Sequence, residues 1–282
     1  MAYSGILAEQ PKQKDKKPGI SACIIAYNSK AKIETAIRSV CWCNEIVVAD
    51  CYSTDGTAEL AEQLGARVIR VKFSGFGSLR NKALDACDYE WVLSVDTDEY
   101  CTNDLQDEIL ATIQSSDSLD VYHICIKSYF MGRWIKYSGW YPNYRQPQLF
   151  RHHCLRYKND MVHEGYLVYS DKPIGYLKNT VLQMPFQNIS EMIQKSDRYS
   201  TLSVDRIRKK YKKASMTRAI IHGLWLFMRN YVMKRGFLDG WPGFMIAVGD
   251  GYSAFYRYAK FYESELPHAD LSIPWHRYSS KE

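Results

Sequence analysis

Trp91-Val-Leu-Ser-Val-Asp-Thr-Asp98 decides the fold: a short run of apolar and small residues ends on two carboxylates one position apart. Five uncharged residues between Glu90 and Asp96 suit the length of a strand buried on both faces rather than a helix. The form recurs upstream. Ile20-Ser-Ala-Cys-Ile-Ile-Ala-Tyr27 reads as a first strand, Glu45-Ile-Val-Val-Ala-Asp50 as a second that also ends on a carboxylate, and Arg67–Val71 as a third. Helical spacing fills the gaps: Ile33, Ala36, Ile37 and Val40 share one face of Ala31–Val40. A second helix, Ala58–Leu64, follows the turn Ser53-Thr-Asp-Gly-Thr57, and a third around Leu79–Ala86 follows the loop Ser74–Gly77.

Strands alternating with helices at this interval predict an α/β fold, a mostly parallel sheet with helices on both faces. Ligands of such sheets bind beyond the carboxyl ends of the strands, so Asp50, Asp96 and Asp98 are expected in one crevice. Carboxylates separated by a single residue can flank a hard divalent cation, Mg²⁺ or Mn²⁺, that completes its shell with water and substrate phosphate. The spacing also arises by accident in many chains; its place directly after a buried strand is what favours a site.

Composition sets the outer bounds. The chain has 282 residues, 46% hydrophobic and 24% charged, which excludes collagen, coiled coil and wholesale disorder. Its net charge of +6 is unevenly spread. Residues 1–120 hold 12 Lys+Arg against 19 Asp+Glu, leaving 25 against 12 for the rest. An acidic half calls for a cation or a base, and a basic half favours a polyanion: nucleic acid, an anionic membrane or a phosphate-rich small molecule. Unequal solvated surface is the plainer alternative.

Eight cysteines form no Cys-x-x-Cys pair, and several lie in apolar stretches, so buried reduced thiols in a cytoplasmic protein are expected. Met1–Gln10 lacks the apolar core of a signal peptide, and residues 1–18 read as a basic flexible tail. Apolar runs such as Ala219–Met228 fall well short of the roughly 20 residues a transmembrane helix needs. Yet Arg206-Ile-Arg-Lys-Lys-Tyr-Lys-Lys213 precedes Ile220–Met233 and Phe237–Tyr262, both rich in Trp, Phe, Tyr and Met and interleaved with basic residues. That composition fits helices lying in an anionic membrane interface, or a helical subdomain packed on the core.

Several motifs, taken in order, resemble glycosyltransferase family 2: Ile24-Ile-Ala-Tyr-Asn28, Val47-Val-Ala-Asp50 running into Ser53-Thr-Asp-Gly-Thr57, Arg80-Asn-Lys-Ala83, and Asp96-Thr-Asp98. Gly75-Phe-Gly77, Leu149-Phe-Arg151, Val162-His-Glu164, Arg198-Tyr-Ser200 and Gly236-Phe-Leu-Asp-Gly240 narrow the resemblance to its lipopolysaccharide-core β-glucosyltransferases. It spans roughly residues 20–262. The resemblance implies a GT-A fold: a catalytic domain over 19–183 and a helical, basic-aromatic region over 184–282.

It also implies roles. Ala26, Tyr27, Asn28 and Asp50 would hold the uracil and ribose of a UDP-sugar, Arg80 the uracil or diphosphate, Asp96 the ribose, and Asp98 the metal between the phosphates. Many members carry a second acid after the Asp50 equivalent, where this chain has Cys51. Glu164 stands where the family keeps its catalytic base; with His163 beside it, which of the two takes the proton stays open. Lys195-Ser-Asp-Arg198-Tyr199 resembles a Gln-x-x-Arg-Trp motif, giving Arg198 to the diphosphate or an acceptor phosphate and Lys195 to the acceptor side. Alternatively this is a solvated helix face, paired through Asp197 or Glu191, with Ser190 as N-cap. Trp134, Trp140 and Tyr141, within the aromatic stretch Tyr129–Tyr144, can stack on an acceptor sugar or fill core.

The expected activity is inverting transfer of a hexose, glucose from UDP-glucose, to a lipid-linked lipopolysaccharide inner-core sugar such as heptose, at the inner face of the cytoplasmic membrane. Another UDP-sugar or a polyprenyl-linked acceptor is the nearest variant. A non-catalytic nucleotide-sugar module would be expected to lose Asp98 or Glu164, and both are present. A nucleic-acid binder would account for the basic half but not the strand-end motifs, and no RRM, KH or helix-turn-helix pattern is visible.

Overall fold

The computed structural model describes residues 16–158, 165–211 and 213–266. Four parallel strands form its first half: β1 (Lys17–Ala26), β2 (Glu45–Asp50), β3 (Arg67–Arg70) and β4 (Tyr89–Asp96), arranged β3-β2-β1-β4. They alternate with α1 (Lys30–Ser39), α2 (Thr57–Gln63) and α3 (Phe76–Ala86). β1 starts at Lys17, so the last residues of the stretch read as tail are strand.

Period-two alternation explains why helices cover both faces. Ala22, Ile24 and Ala26 of β1 join Leu93 and Val95 of β4 in one core, with Ile33 and Ile37 of α1 and Ala61 of α2. Cys23, Val47, Ala49 and Val92 point the other way, into a second core with Leu79, Ala83 and Leu84 of α3. The helix after Ser74–Gly77 starts at Phe76, following Gly75 at φ +115°, a conformation that glycine accepts without Cβ strain.

Beyond β4 the sheet becomes mixed. β5 (Glu99–Cys101), α4 (Asn103–Gln114), β6 (Val121–Phe130), β7 (Arg133–Trp134), β8 (Pro147–Arg151) and β11 (Gly175–Gln183) extend it in the order β4-β8-β6-β11-β5, with β7 paired to β6. β8 runs antiparallel to both β4 and β6, while β11 is parallel to β6. β9 (Leu155–Tyr157) and β10 (Tyr166–Val168) pair separately.

After β11 the elements are helical: α5 (Ile189–Leu202), α6 (Val204–Lys210), α7 (Met216–Met228), a π-helical turn (Arg229–Met233), a 3-10 turn (Gly236–Asp239) and α8 (Gly240–Glu263). The Asn188 side chain, not Ser190, caps α5, accepting from the Glu191 N–H. Phe130, Ile135, Met192 and Ile246 bind these helices to the sheet, with Trp140 and Phe186 packed against them. Buried Asp239 accepts from the backbone N–H groups of Lys136 and Tyr137 at 3.1 and 2.9 Å. The Gly236–Gly240 motif is therefore a structural tie between helices and sheet. Among the described residues no helix is long and apolar enough to cross a membrane.

Candidate functional site

Strand register assembles the site. Ala26, the last residue of β1, pairs with Asp50 on one side, and Ile25 with Asp96 on the other. Beyond these ends lies a cavity of about 610 Å³, walled by Ala26, Tyr27, Cys51, Arg80, Asp96 and Asp98 from the first half of the chain. Arg145, Lys195, Arg198 and Tyr199 close it from the second half.

The two carboxylates of Asp96-Thr-Asp98 are held differently. Arg80, almost fully buried, donates to Asp96 Oδ1 at 2.7 Å and to Ser94 Oγ at 3.2 Å, over the Tyr157 ring. Burial alone would raise the Asp96 carboxyl; Arg80, Arg145 and Lys195 outweigh it and hold the group below the ordinary carboxylate range. Asp98 is gripped more loosely. Gln183 Nε2 donates to one oxygen and Lys195 Nζ to the other, each at 3.3 Å. Next to them Glu99 is buried, and that burial, with the charges of Asp96 and Asp98, pushes its carboxyl up to about 8.

Four cations, Arg80, Arg145, Lys195 and Arg198, face two carboxylates in this cavity, a surplus that suits a diphosphate. Arg198 lies over the Tyr27 ring at 5.0 Å. The pairings that would have drawn this helix face into solvent go elsewhere: Asp197 binds Lys260 and Glu191 binds Lys32. Lys195, Arg198 and Tyr199 share the cavity face of α5.

Asp50 and Asn28 do not line the cavity: Asp50 stands behind the wall, and Asn28 is exposed beside Tyr27. Asp50 is fully buried, with Oδ2 accepting from the Ser53 N–H at 2.9 Å and from Arg70 at 2.7 Å. Its Oδ1 has no partner among the described residues. Asn28, at φ +45°, donates its N–H to Ser53 Oγ and accepts from the Thr54 N–H. Together they brace the Ser53–Thr57 turn.

A second cavity of about 750 Å³ shares Asp96, Asp98, Arg145, Lys195 and Tyr199 with the first and extends past Gln183 and Phe186 to Asp250 and Ser253 of α8. Trp134, Trp140 and Tyr141 line neither. Trp134 packs edge-on against Tyr141, their centroids 5.1 Å apart, and Trp140 lies against Phe186. Trp140 thus supports the wall that Phe186 presents.

His163 and Glu164 lie outside the described residues. Their flanks are anchored: the Lys158 N–H donates to the Gly165 carbonyl at 2.7 Å. Asn81 of α3 holds Tyr157, just ahead, by two hydrogen bonds of 2.8 and 2.9 Å. Arg145, Gln183, Asp250 and Ser253 line these cavities although no motif announces them, because tertiary packing alone brings them in.

Among the described residues no three His, Cys, Asp or Glu side chains are placed to cage a metal. One or two carboxylate oxygens with open surroundings are the donor set that Mg²⁺ or Mn²⁺ accepts, since each keeps waters and phosphate oxygens. Asp98, on the wall of both cavities, is the residue that would hold such an ion, its oxygens loosely held at 3.3 Å by Gln183 and Lys195.

Residues 21–176 match the family described as Glycosyl transferase family 2. An uncharacterized glycosyltransferase of Rickettsia felis is 30% identical over 265 residues, 88% of this chain and 90% of its own. The lipopolysaccharide core biosynthesis glycosyltransferase LpsC of Rhizobium meliloti is 27% identical over 255 residues, 86% of this chain and 92% of its own. Among solved structures, S. aureus TarS 1–349 in complex with UDP-GlcNAc is 17% identical over 89% of this chain and 94% of its own, with a TM-score of 0.47, too loose a likeness to speak to ligands. The chain belongs to glycosyltransferase family 2.

Proposed function

We propose that this transferase moves glucose from UDP-glucose, with inversion, onto a lipid-linked sugar of the lipopolysaccharide inner core, a heptose, using Mg²⁺ or Mn²⁺. The observation that carries the reading is the pair of joined cavities, with Asp96 and Asp98 on their common wall and four cations around the first. Kinship with LpsC over most of both chains supports the acceptor class.

The first cavity takes the donor. Ala26 and Tyr27 flank the base, Asp96 accepts from the ribose, and Arg80, Arg145, Lys195 and Arg198 face the diphosphate. Asp50, which the resemblance gives to the uracil, lies behind the wall and braces the turn beside Tyr27 and Asn28 through Ser53. The second cavity takes the acceptor, with Asp250 and Ser253 as candidate partners of its hydroxyls.

The acceptor oxygen attacks the anomeric carbon opposite the departing UDP. The new C–O bond forms as the bond to the β-phosphate oxygen breaks, whose electron pair leaves with UDP. The hydroxyl proton passes to Glu164, or to His163 beside it. Fixed cations stabilise the charge growing on UDP without moving a proton. A divalent ion at Asp98, when bound, adds Lewis-acid stabilisation of the same diphosphate.

The test is UDP release from UDP-glucose with Mn²⁺, with and without a heptose-bearing lipid acceptor. Release should depend on the acceptor, and Glu164→Gln should lower it about 100-fold or more while UDP-glucose binding persists. Transfer by Glu164→Gln at the wild-type rate rejects Glu164 as base; no release with any UDP-sugar and acceptor rejects the reading.

A further inference from the structure

Helix α7 is packed inside out. The residues it buries are small: Ala219 is fully buried, and Gly223 lies so near α8 that a Cβ there would sit 3.0 Å from Phe255 Cβ and 3.1 Å from the Gly251 carbonyl. Phe227 turns in against Phe244 of α8, but most of the large apolar side chains of α7 point away from the protein. Ile220, Ile221, Leu224, Trp225 and Met228 recur at helical spacing along one exposed face, Leu224 at 64% and Trp225 at 53% exposure. Val232, Met233, Phe237 and Trp241, the last at 74%, continue the exposed apolar surface through the turns that follow. A water-facing helix does the reverse, burying its large apolar stripe. Close contact through small residues, with bulky ones outward, is how helices pack where the surroundings are lipid.

We infer that this face of α7 and the turns after it rest on the surface of an anionic lipid bilayer. Charge selects that occupant. From Arg206 to Leu238 the chain has ten Lys or Arg and no Asp or Glu, and the apolar stripe lies between basic groups on both sides. Lys209, Lys210, Lys213 and Arg218 precede it; Arg229, Lys234 and Arg235 follow. Acidic head groups neutralise such a rim at about 1 kcal/mol per basic residue near the surface, whereas a second copy of the chain would bring the same ten cations against themselves. A 13-residue helix is about 20 Å long and cannot span a bilayer, so α7 lies on it.

The surface also bears on access to the site. α8 supplies Asp250 and Ser253 to the second cavity and, at Gly251 between them, the contact that seats α7. One helix thus joins the lipid-facing surface to the cavity. The inference stands on this surface alone and holds whichever sugar is transferred.

The experiment is co-sedimentation of the full chain with vesicles of phosphatidylcholine, alone or mixed with phosphatidylglycerol, at low and high salt, with oligomeric state followed by analytical ultracentrifugation. Binding should be at least about tenfold tighter to the anionic vesicles and weaken with salt. Leu224→Gln with Trp225→Gln, both exposed, should reduce it at least about tenfold with the thermal midpoint unchanged. No binding to anionic vesicles, or equal binding by the double variant, overturns the inference. So does a wild-type dimer that the double variant turns into monomer while neither binds vesicles.

Discussion

Lys195 Nζ on α5 lies 3.3 Å from Asp98 Oδ2 at the end of β4, an ion pair joining residues 97 positions apart. The helical part of the chain thereby places a cation against the carboxylate that we propose as the metal ligand. Lys195 also donates to the Pro185 carbonyl at 2.8 Å, which holds it there. Lysine and divalent ion compete for one oxygen, so Lys195→Met should raise Mn²⁺ affinity in the absence of nucleotide by about tenfold, the effect of one removed like charge in a partly screened site. Electron paramagnetic resonance of free Mn²⁺ during titration measures it. Unchanged affinity contradicts the competition.

The Arg80–Asp96 pair, its arginine buried and its carboxylate partly so, should show its strength when broken from one side. Arg80→Met leaves a carboxylate in a cavity wall without its nearest cation, at a cost of about 3 kcal/mol in urea unfolding. Adding Asp96→Asn should return a good part of that loss, with a coupling of about 1–3 kcal/mol. Simple additivity would show that the pair does not act as a unit.

His152 makes stability depend on pH. Burial, against the opposing pull of its bond to the Leu84 carbonyl at 2.7 Å, lowers its pKa to about 4. An unfolded chain binds that proton from about pH 6.5 downward and the folded chain only near 4, so its contribution is intact above 6.5 and lost as pH falls toward 4. The loss should reach about 2 kcal/mol by pH 5. Unfolding of wild type and His152→Gln at pH 7 and pH 5 should show the smaller drop in the variant; equal drops contradict the assignment.

Gly243 opens α8 against the 3-10 turn, and a Cβ there would lie 2.0 Å from the Gly236 carbonyl oxygen. Alanine gains about 1 kcal/mol in helix propensity. The backbone must nonetheless move, so Gly243→Ala should lower stability by at least about 2 kcal/mol net. A stabilised variant would mean that the turn yields freely.

The parallel half of the sheet is readable from the chain because each strand is a short apolar run closed by a carboxylate or turn, and each helix shows one apolar face. Strand Glu45–Asp50 lies where its pattern puts it. The mixed half is not readable, since pairing β8 between β4 and β6 depends on contacts distant in sequence. Asp50 illustrates the limit for the site: its position at a strand end is local, but the bond from Arg70 on the next strand, which turns it behind the wall, is not. Trp134 and Trp140 teach the same, for an aromatic-rich stretch looks alike whether it faces a cavity or props its wall. Ser190 and Asn188 are both sound caps chemically, and the extended backbone of Asn188 decides between them.

The central claim, that the crevice at the ends of β1 and β4 holds a nucleotide diphosphate, is tested most directly by calorimetric titration of UDP with Mn²⁺ present. The expected result is saturable binding by the wild type, weakened about tenfold or more by Asp98→Asn and by chelation of the metal. Absence of UDP binding by the wild type, or equal affinity in Asp98→Asn, would contradict it.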